Sequence, residues 1–145
     1  MKDIVICAQL NEECLAHLKQ LKAHELIENH KIHIIHCFEI QVYTADFSPF
    51  IYPSPEQYPE LISSATGVLE NFATELGISK DNLNIKVLFS KTPKESIIEY
   101  IKEVKADLSI VATRGLHGIE GLFASSFAEY LIKHSPSDVY IIRPE

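Results

Sequence analysis

The sequence predicts an α/β protein, a doubly wound three-layer sandwich, and two observations support this prediction. Short apolar runs of strand length alternate with longer segments whose apolar residues recur every three or four positions. One run, Leu108–Ala112, is almost wholly apolar, as in strands that a parallel sheet buries on both faces. Because each crossover between parallel strands needs a helix and turns right-handed, the alternation indicates a parallel sheet covered by helices.

The first part of the chain supplies two strands and one helix. Ile4–Ala8 is predicted to be the first strand and Ile32–Phe38 the second. Asn11 is placed to cap a helix that begins at Glu12. The acidic side chains of Glu12 and Glu13 are favourable near the positive end of this helix. The recurring leucines of this helix extend it to about Glu28.

A segment rich in proline and aromatic residues, residues 43–59, breaks the alternation. Because proline lacks a backbone N–H group and fixes φ, this segment cannot be a central element and is predicted to be a long connection. Two interpretations stay open: a lid or surface for a protein partner, or a loop that drapes its rings over the sheet edge. Its prolines and rings are Pro49, Pro53, Pro55, Pro59, Tyr43, Phe47, Phe50, Tyr52 and Tyr58.

The remaining helices each carry a boundary signal. Gly77 ends the second helix, and Thr92 with Pro93 begins the third. Ser126 and Glu129 have the spacing of a capping box at the start of the fourth. In order, the predicted elements are a helix from Pro59 or Glu60 to Gly77, a strand at Asn84–Ser90, a helix from Pro93 to Val104, the strand at Leu108–Ala112, a helix from Ser126 to about His134, and a strand at Asp138–Arg143.

Composition limits the class of protein and its partners. The 145 residues are 46% hydrophobic and 23% charged, which is ordinary for one soluble domain, here residues 1–145. A formal net charge of −7 without any basic cluster argues against nucleic acid and membrane surfaces as partners. The first apolar run meets Asn and Glu rather than a cleavage site, and no run is long enough to span a bilayer, so we expect a cytoplasmic protein.

Potential ligating and nucleophilic side chains form no recognisable catalytic or metal motif. Cys7, Cys14 and Cys37 include no Cys-x-x-Cys pair and lie in apolar surroundings, so we expect buried free thiols. His33 and His36 lie three apart on a strand and therefore point to opposite faces, so they cannot share one metal ion. Without a Gly-x-Ser-x-Gly elbow, no catalytic residue is predicted.

The loop after Leu108–Ala112 carries Gly115, Gly118 and Gly121 and leads into the helix that Ser126 opens. Strand, glycine-bearing loop and helix N-terminus together present unpaired backbone N–H groups to an anion. The loop follows the carboxyl end of a predicted parallel strand, and open parallel sheets bind ligands at the carboxyl ends of their strands.

The segment Ile110–Pro144 resembles the C-terminal signature of the universal stress protein domain, of the adenine-nucleotide α-hydrolase-like superfamily. The first strand, the second strand and the third helix match the family as well, so the resemblance covers the whole chain. It implies a five-stranded parallel sheet of order 3-2-1-4-5. It also implies a homodimer in which the fifth strands, Val139–Arg143, meet edge to edge.

Family members that bind ATP carry glycine, two residues, glycine, nine residues, glycine, and then serine or threonine. Here the first glycine falls on Ala112, the second is Gly115, the third falls on Ser125, and the hydroxyl residue is Ser126. Only one glycine of the three is present. A non-glycine residue costs on the order of 1 kcal/mol wherever the backbone needs a positive φ, which weakens the expected phosphate site.

Two further positions separate this chain from the family's ATP binders. The acidic residue on the ribose side falls on Gln9, and the apolar residue that lines the adenine pocket falls on Cys37. Loss of the carboxylate removes a charge-assisted hydrogen bond worth about 1.5–3 kcal/mol, although Arg114 supplies compensating positive charge.

The resemblance therefore implies a regulatory or binding module with a weak or altered adenine-nucleotide site, with magnesium if the ligand is ATP. The residues expected at this site are Ala8, Gln9, Cys37, Ala112, Arg114, Gly115, Gly118, Ser125 and Ser126. Two alternatives stay open: slow ATP hydrolysis at this site, and a nucleotide-free dimeric interaction protein that uses residues 43–59.

Overall fold

The computed structural model describes residues 1–23, 25–44, 48–112 and 127–143. A five-stranded parallel sheet in the order β5-β2-β1-β6-β7 forms its centre. Counted along the chain within this sheet, the order is 3-2-1-4-5, so the predicted topology is confirmed. The strands are β1 (Asp3–Cys7), β2 (Lys31–Glu39), β3 (Gln41–Thr44), β4 (Pro49–Tyr52), β5 (Leu83–Ser90), β6 (Leu108–Ala112) and β7 (Asp138–Ile142).

Helices cover both faces of the sheet and give it three layers. They are α1 (Glu12–Leu18), α2 (Tyr58–Glu75), α3 (Pro93–Glu103) and α4 (residues 127–134). Alternate residues of β1 point to opposite faces: Ile4 and Ile6 pack with residues of α1 and α2, whereas Val5 and Cys7 pack with residues of α3 and α4. Burial of one such large apolar side chain contributes about 1.5–3 kcal/mol, so both faces of the sheet stabilise the fold.

The first helix is capped as predicted but is shorter than predicted. The Asn11 side chain accepts a hydrogen bond of 2.7 Å from the Cys14 backbone N–H group. The expected helix to about Glu28 is wrong, because α1 ends at Leu18 and 3₁₀ turns follow. Residues three apart eclipse one another in a 3₁₀ turn, which keeps Leu18 and Leu21 both fully buried in the core.

The end of α2 and the start of α3 lie at the predicted residues, whereas Ser126, the predicted cap of α4, lies outside the described residues. Gly77 has a φ of +77° after α2, and its N–H group donates to the Thr74 carbonyl oxygen at 3.0 Å. Pro93 is the first residue of α3, with Thr92 in the cap position. The Thr92 side chain makes no capping hydrogen bond; its backbone N–H group donates to Ser90 Oγ at 2.9 Å instead.

Residues 43–59 lie outside the parallel sheet, as predicted, but contain structure that the sequence did not indicate. Strands β3 and β4 pair antiparallel and form a separate two-stranded sheet, the hairpin. Pro49 is the first residue of β4, a position that proline tolerates because it needs no ladder N–H group. Tyr58 stacks on Phe89 of the edge strand β5 at 3.8 Å, as expected for a loop that drapes its rings over the sheet edge. Tyr43 and Phe50 stack on each other and remain exposed, as expected for a surface that contacts a partner.

Within the described ranges, no helix is both long enough and apolar enough to cross a membrane.

Candidate functional site

A cavity of about 1030 Å³ opens at the carboxyl edge of the parallel sheet. Cys7 pairs with Ile35 of β2 on one side and with Val111 of β6 on the other, so three strands end next to one another at this edge. In doubly wound folds, such an edge is where ligands bind, and the volume is at the upper end for small-molecule sites.

Four of the predicted site residues lie on the wall of this one cavity: Ala8, Gln9, Cys37 and Ala112. Ala8 continues β1, since its N–H group donates to the Ile35 carbonyl oxygen at 3.0 Å, and it is buried. Gln9 is the next residue and is exposed, whereas Cys37 and Ala112 are half-buried. The sheet topology therefore brings together residues that are more than a hundred positions apart.

The other five predicted site residues lie outside the described residues. They are Arg114, Gly115, Gly118, Ser125 and Ser126. The predicted anion cradle of the glycine loop lies outside them as well.

His36 of β2 adds a polar group to the same cavity. Its Nδ1 atom lies 2.9 Å from the Ala8 carbonyl oxygen. A carbonyl oxygen can only accept, so Nδ1 carries the hydrogen and donates it. Burial lowers the pKa of His36 below its usual 6.5, and the hydrogen bond to Ala8 opposes this only in part. The ring is therefore neutral at physiological pH, and its Nε2 atom is a hydrogen-bond acceptor.

A row of aromatic rings supports His36 from the α2 side of the sheet. The Phe38 ring meets the His36 ring edge-on, with 4.6 Å between centroids. Phe38 stacks on Phe89 at 5.2 Å, and Phe89 stacks on Tyr58. Such contacts contribute about 0.5–1.5 kcal/mol each beyond area burial, so the imidazole is held in one orientation.

The start of α3 and the helix α4 close the cavity on the opposite face. Thr92, Lys94 and Glu95 line it from α3, and Tyr130 lines it from α4. The Lys94 Nζ atom lies 5.8 Å from the centre of the Tyr130 ring, within the range of a cation–π contact. With Glu39 of β2, the described wall contains two carboxylates and one ammonium group.

None of the three cysteines forms a disulfide bond, and all three line this cavity. Cys7 is buried as predicted, but Cys14 and Cys37 are only half-buried, and each packs against one of the two core clusters. Burial, and secondarily Cys14, raises the pKa of Cys7 to about 12. Burial, and secondarily Glu39, raises the pKa of Cys37 to about 11. These two side chains are therefore neutral thiols at physiological pH and weak nucleophiles.

The two strand histidines point to opposite faces, as predicted. The His33 Nε2 atom lies 2.9 Å from Asp3 Oδ1, and its Nδ1 atom lies 3.1 Å from the Tyr100 hydroxyl oxygen of α3. His36 contacts the aromatic row on the α2 side. Among the residues that the structure describes, no three His, Cys, Asp or Glu side chains are grouped as a metal site.

Sequence reasoning missed several residues of the cavity wall. His36 was considered only as a metal ligand, and Lys94 and Tyr130 were not considered at all. One signal for Lys94 was available: it follows the end of the strand Asn84–Ser90 and begins the next helix, and all parallel strands end at the same edge. No sequence signal indicated the contact between Lys94 and Tyr130, since it depends on how α3 and α4 pack together.

Comparison with known proteins gives consistent matches. The model of the universal stress protein family matches residues 1–143. A universal stress protein of Methanocaldococcus jannaschii is 30% identical in an alignment of 125 residues that covers 79% of this chain and 71% of that protein. A crystal structure of a universal stress protein in complex with cAMP has a TM-score of 0.67 at 19% identity, covering 99% of this chain and 98% of the other. The universal stress protein of Archaeoglobus fulgidus in complex with dAMP has a TM-score of 0.62 at 14% identity, covering 98% of both chains.

Proposed function

The chain belongs to the universal stress protein family, and we propose that it binds an adenine nucleotide in the cavity at the carboxyl edge of its sheet. The observation that carries the proposal is that Ala8, Gln9, Cys37 and Ala112, which come from three strand ends, all line one cavity. Two proteins of the same fold are described as complexes with cAMP and with dAMP. We place this activity in a cytoplasmic binding or regulatory module.

The proposed role of Gln9 explains why we expect modest affinity. Gln9 is exposed at the cavity beside the buried Ala8, where its amide can donate to or accept from a ribose hydroxyl. It carries no charge, so it lacks the charge-assisted hydrogen bond of a carboxylate, a difference of about 1.5–3 kcal/mol. Arg114, Gly115, Gly118, Ser125 and Ser126 remain the proposed phosphate side of the site.

Charge on the described wall favours a ligand with few phosphate charges. Glu39 and Glu95 face the same cavity as Lys94, so these three side chains sum to one negative charge. Like charges repel in a partly desolvated site, which disfavours a triphosphate unless magnesium accompanies it. A monophosphate or a cyclic monophosphate is therefore the form that we expect to bind best.

Thermal melting of the purified protein tests the proposal. ATP, ADP, AMP and cyclic AMP are added in turn, and a ligand at 100 times its dissociation constant should stabilise the fold by about 2.7 kcal/mol. Ala112→Leu puts extra carbon atoms into the cavity and should abolish the shift. Thr44→Leu places the same side chain on the exposed hairpin, away from the cavity, and should leave the shift intact. Unchanged melting with all four nucleotides at millimolar concentration would exclude adenine-nucleotide binding.

The exposed hairpin supports a second proposal, that this protein also contacts a protein partner through residues 43–59. Five large apolar side chains of β3 and β4 are between 42% and 54% exposed, and they lie on both faces of the hairpin: Val42, Tyr43, Phe50, Ile51 and Tyr52. Contiguous exposed apolar surface of this kind marks interaction sites in soluble proteins. If this is the main activity, replacement of residues 43–59 will abolish partner capture and nucleotides will have no effect.

We further propose a homodimer through Val139–Arg143. In the described part of the chain, β7 pairs only with β6 and is an edge strand of the parallel sheet. Its sequence is apolar from Val139 to Ile142. An unprotected apolar edge invites pairing with another chain, so edge-to-edge contact of two such strands would protect both.

A further inference from the structure

We propose that the Nε2 atom of His36 is the hydrogen-bond acceptor by which this cavity selects its ligand, and that it selects a nucleotide presenting an N–H or O–H donor there. This donor chemistry is shared by the adenine amino group and the ribose hydroxyls. The inference rests on the proposed function, because it specifies what the same cavity recognises.

The tautomer of His36 is determined by its contact with the end of β1. Nδ1 lies 2.9 Å from the Ala8 carbonyl oxygen, which has no hydrogen to give. Nδ1 must therefore be the donor of this bond, and in the neutral ring Nε2 keeps a lone pair. The Ala8 carbonyl group is itself fixed, because the Ala8 N–H group is bonded to Ile35 of β2.

Among the residues that the structure describes, none forms a hydrogen bond with Nε2, although the His36 side chain is buried. His36 is only 7% exposed, and within the described ranges its single hydrogen bond is the one that Nδ1 makes. Every fully buried side-chain nitrogen or oxygen in those ranges has a hydrogen-bond partner. Since Nε2 has no partner there, it is not fully buried, and it faces the cavity that His36 lines. A donor placed there by a ligand would satisfy an acceptor that is already largely desolvated.

The position of the ring is set before any ligand arrives. His36 pairs with Val87 of β5 in the sheet ladder, and its ring meets Phe38 edge-on. A preorganised acceptor costs little conformational entropy on binding, which makes discrimination by one hydrogen bond effective.

His36 also explains how the site can discriminate without a carboxylate at position 9. Gln9 follows Ala8 directly, so the exposed amide of Gln9 and the imidazole bonded to Ala8 border the same part of the cavity. The amide presents both donors and an acceptor and can adapt to either kind of ligand group, whereas Nε2 of the neutral ring can only accept. Selection for a donor therefore falls to His36.

Two substitutions separate the acceptor from the contact that orients it. In His36→Asn, the side-chain amide nitrogen takes the place of Nδ1 and can still donate to the Ala8 carbonyl oxygen, but no acceptor remains at the Nε2 position. In His36→Gln, the longer amide can place its oxygen near the Nε2 position, so an acceptor is retained. Both variants are first compared with the wild type by thermal melting, and the binding data are read from whichever of them remains folded.

The experiment measures the dissociation constants of three ligands by titration calorimetry. AMP is compared with purine riboside monophosphate, which lacks the amino group, and with 2′,3′-dideoxy AMP, which lacks the ribose hydroxyls. For the wild type, we expect AMP to bind about three- to tenfold more tightly than one of the two analogues, and that analogue identifies the donor. In His36→Asn the preference over the analogue without the amino group should fall to about one, and the preference over the dideoxy analogue should fall to the part that Gln9 contributes, while binding of the deficient analogue is unchanged. His36→Gln should keep more of the preference than His36→Asn.

Three results would overturn the inference in distinguishable ways. If the wild type binds AMP but prefers it to neither analogue, the cavity selects no donor. If the preference for AMP in His36→Asn equals that of the wild type, the acceptor is not Nε2. The same follows if His36→Gln loses as much of the preference as His36→Asn. If the wild type binds none of the three ligands, the proposed nucleotide function fails, and the inference fails with it.

Discussion

The Nδ1 atom of His36 lies 2.9 Å from the Ala8 carbonyl oxygen, so a side chain as well as the strand ladder joins the end of β2 to the end of β1. This bond holds a neutral imidazole at the wall of the cavity. The relationship has one consequence for stability and another for the way the cavity recognises a ligand.

Stability should fall as the pH drops below about 6.5. Burial lowers the pKa of His36 in the folded state, so the unfolded chain binds a proton at a higher pH than the folded chain does. The resulting stabilisation is complete above the pKa of the unfolded chain and is lost progressively as the pH falls below it. One such group can contribute a slope of at most about 1.4 kcal/mol per pH unit. Urea denaturation between pH 7.5 and 5 should give a shallower pH dependence for His36→Asn than for the wild type. Equal slopes in wild type and His36→Asn would contradict this account.

Restoring the acid at position 9 should strengthen nucleotide binding. Gln9→Glu keeps the length of the side chain and replaces a neutral hydrogen bond to a ribose hydroxyl by a charge-assisted one. We expect the dissociation constant for AMP to decrease about tenfold, which corresponds to about 1.4 kcal/mol. Gln9→Ala, which removes the hydrogen bond, is the matched control and should weaken binding. An unchanged constant in both variants would show that position 9 does not touch the ligand.

The Tyr100 hydroxyl should stabilise the far end of the sheet rather than the site. It lies 3.1 Å from His33 Nδ1 and accepts a hydrogen bond from Asn84 Nδ2 at 3.2 Å, on the α3 face; His33 and Tyr100 are buried and Asn84 is exposed. Tyr100→Phe removes both of these contacts, whereas Asn84 Nδ2 and His33 Nδ1 still lie 3.3 Å apart, so the free energy of unfolding should fall by about 0.5–1.5 kcal/mol. Tyr43→Phe removes an exposed hydroxyl and should change it by less than about 0.5 kcal/mol. Urea denaturation of both variants measures these free energies. A change for Tyr100→Phe as small as that for Tyr43→Phe would show that the Tyr100 hydroxyl does not stabilise the fold.

The dimer should not depend on the hairpin. If β7 forms the interface, the double variant Phe50→Thr with Ile51→Thr, which makes the hairpin polar but keeps residues of high strand propensity, should sediment as the same dimer as the wild type. A monomeric double variant would show that the dimer interface lies at the hairpin and not at β7. A wild type that is monomeric at tens of micromolar protein would contradict the proposed dimer.

How much the sequence could predict depended on how local the determinants were. The parallel sheet followed from the apolar run at Leu108–Ala112 and the alternation of elements, whereas its strand order was implied only by the family resemblance. The cap at Asn11 followed from neighbouring residues. The hairpin could not be predicted from the sequence, because the prolines of this segment argued against strands. Proline is tolerated here because Pro49, which pairs with Thr44, is the first residue of its strand, and this position is visible only in the structure. The Nε2 acceptor of His36 could not be inferred either, since it depends on a contact with Ala8, which lies 28 positions away.

The central claim is that an adenine nucleotide occupies the cavity where β1, β2 and β6 end. The most direct measurement is the change in backbone amide chemical shifts of isotope-labelled protein on titration with AMP. We predict saturable shifts at Ala8, Gln9, Cys37 and Ala112, and unchanged signals at Val42 of the hairpin. Signals at the four cavity residues that do not move while AMP reaches millimolar concentration, or shifts confined to another surface, would contradict it.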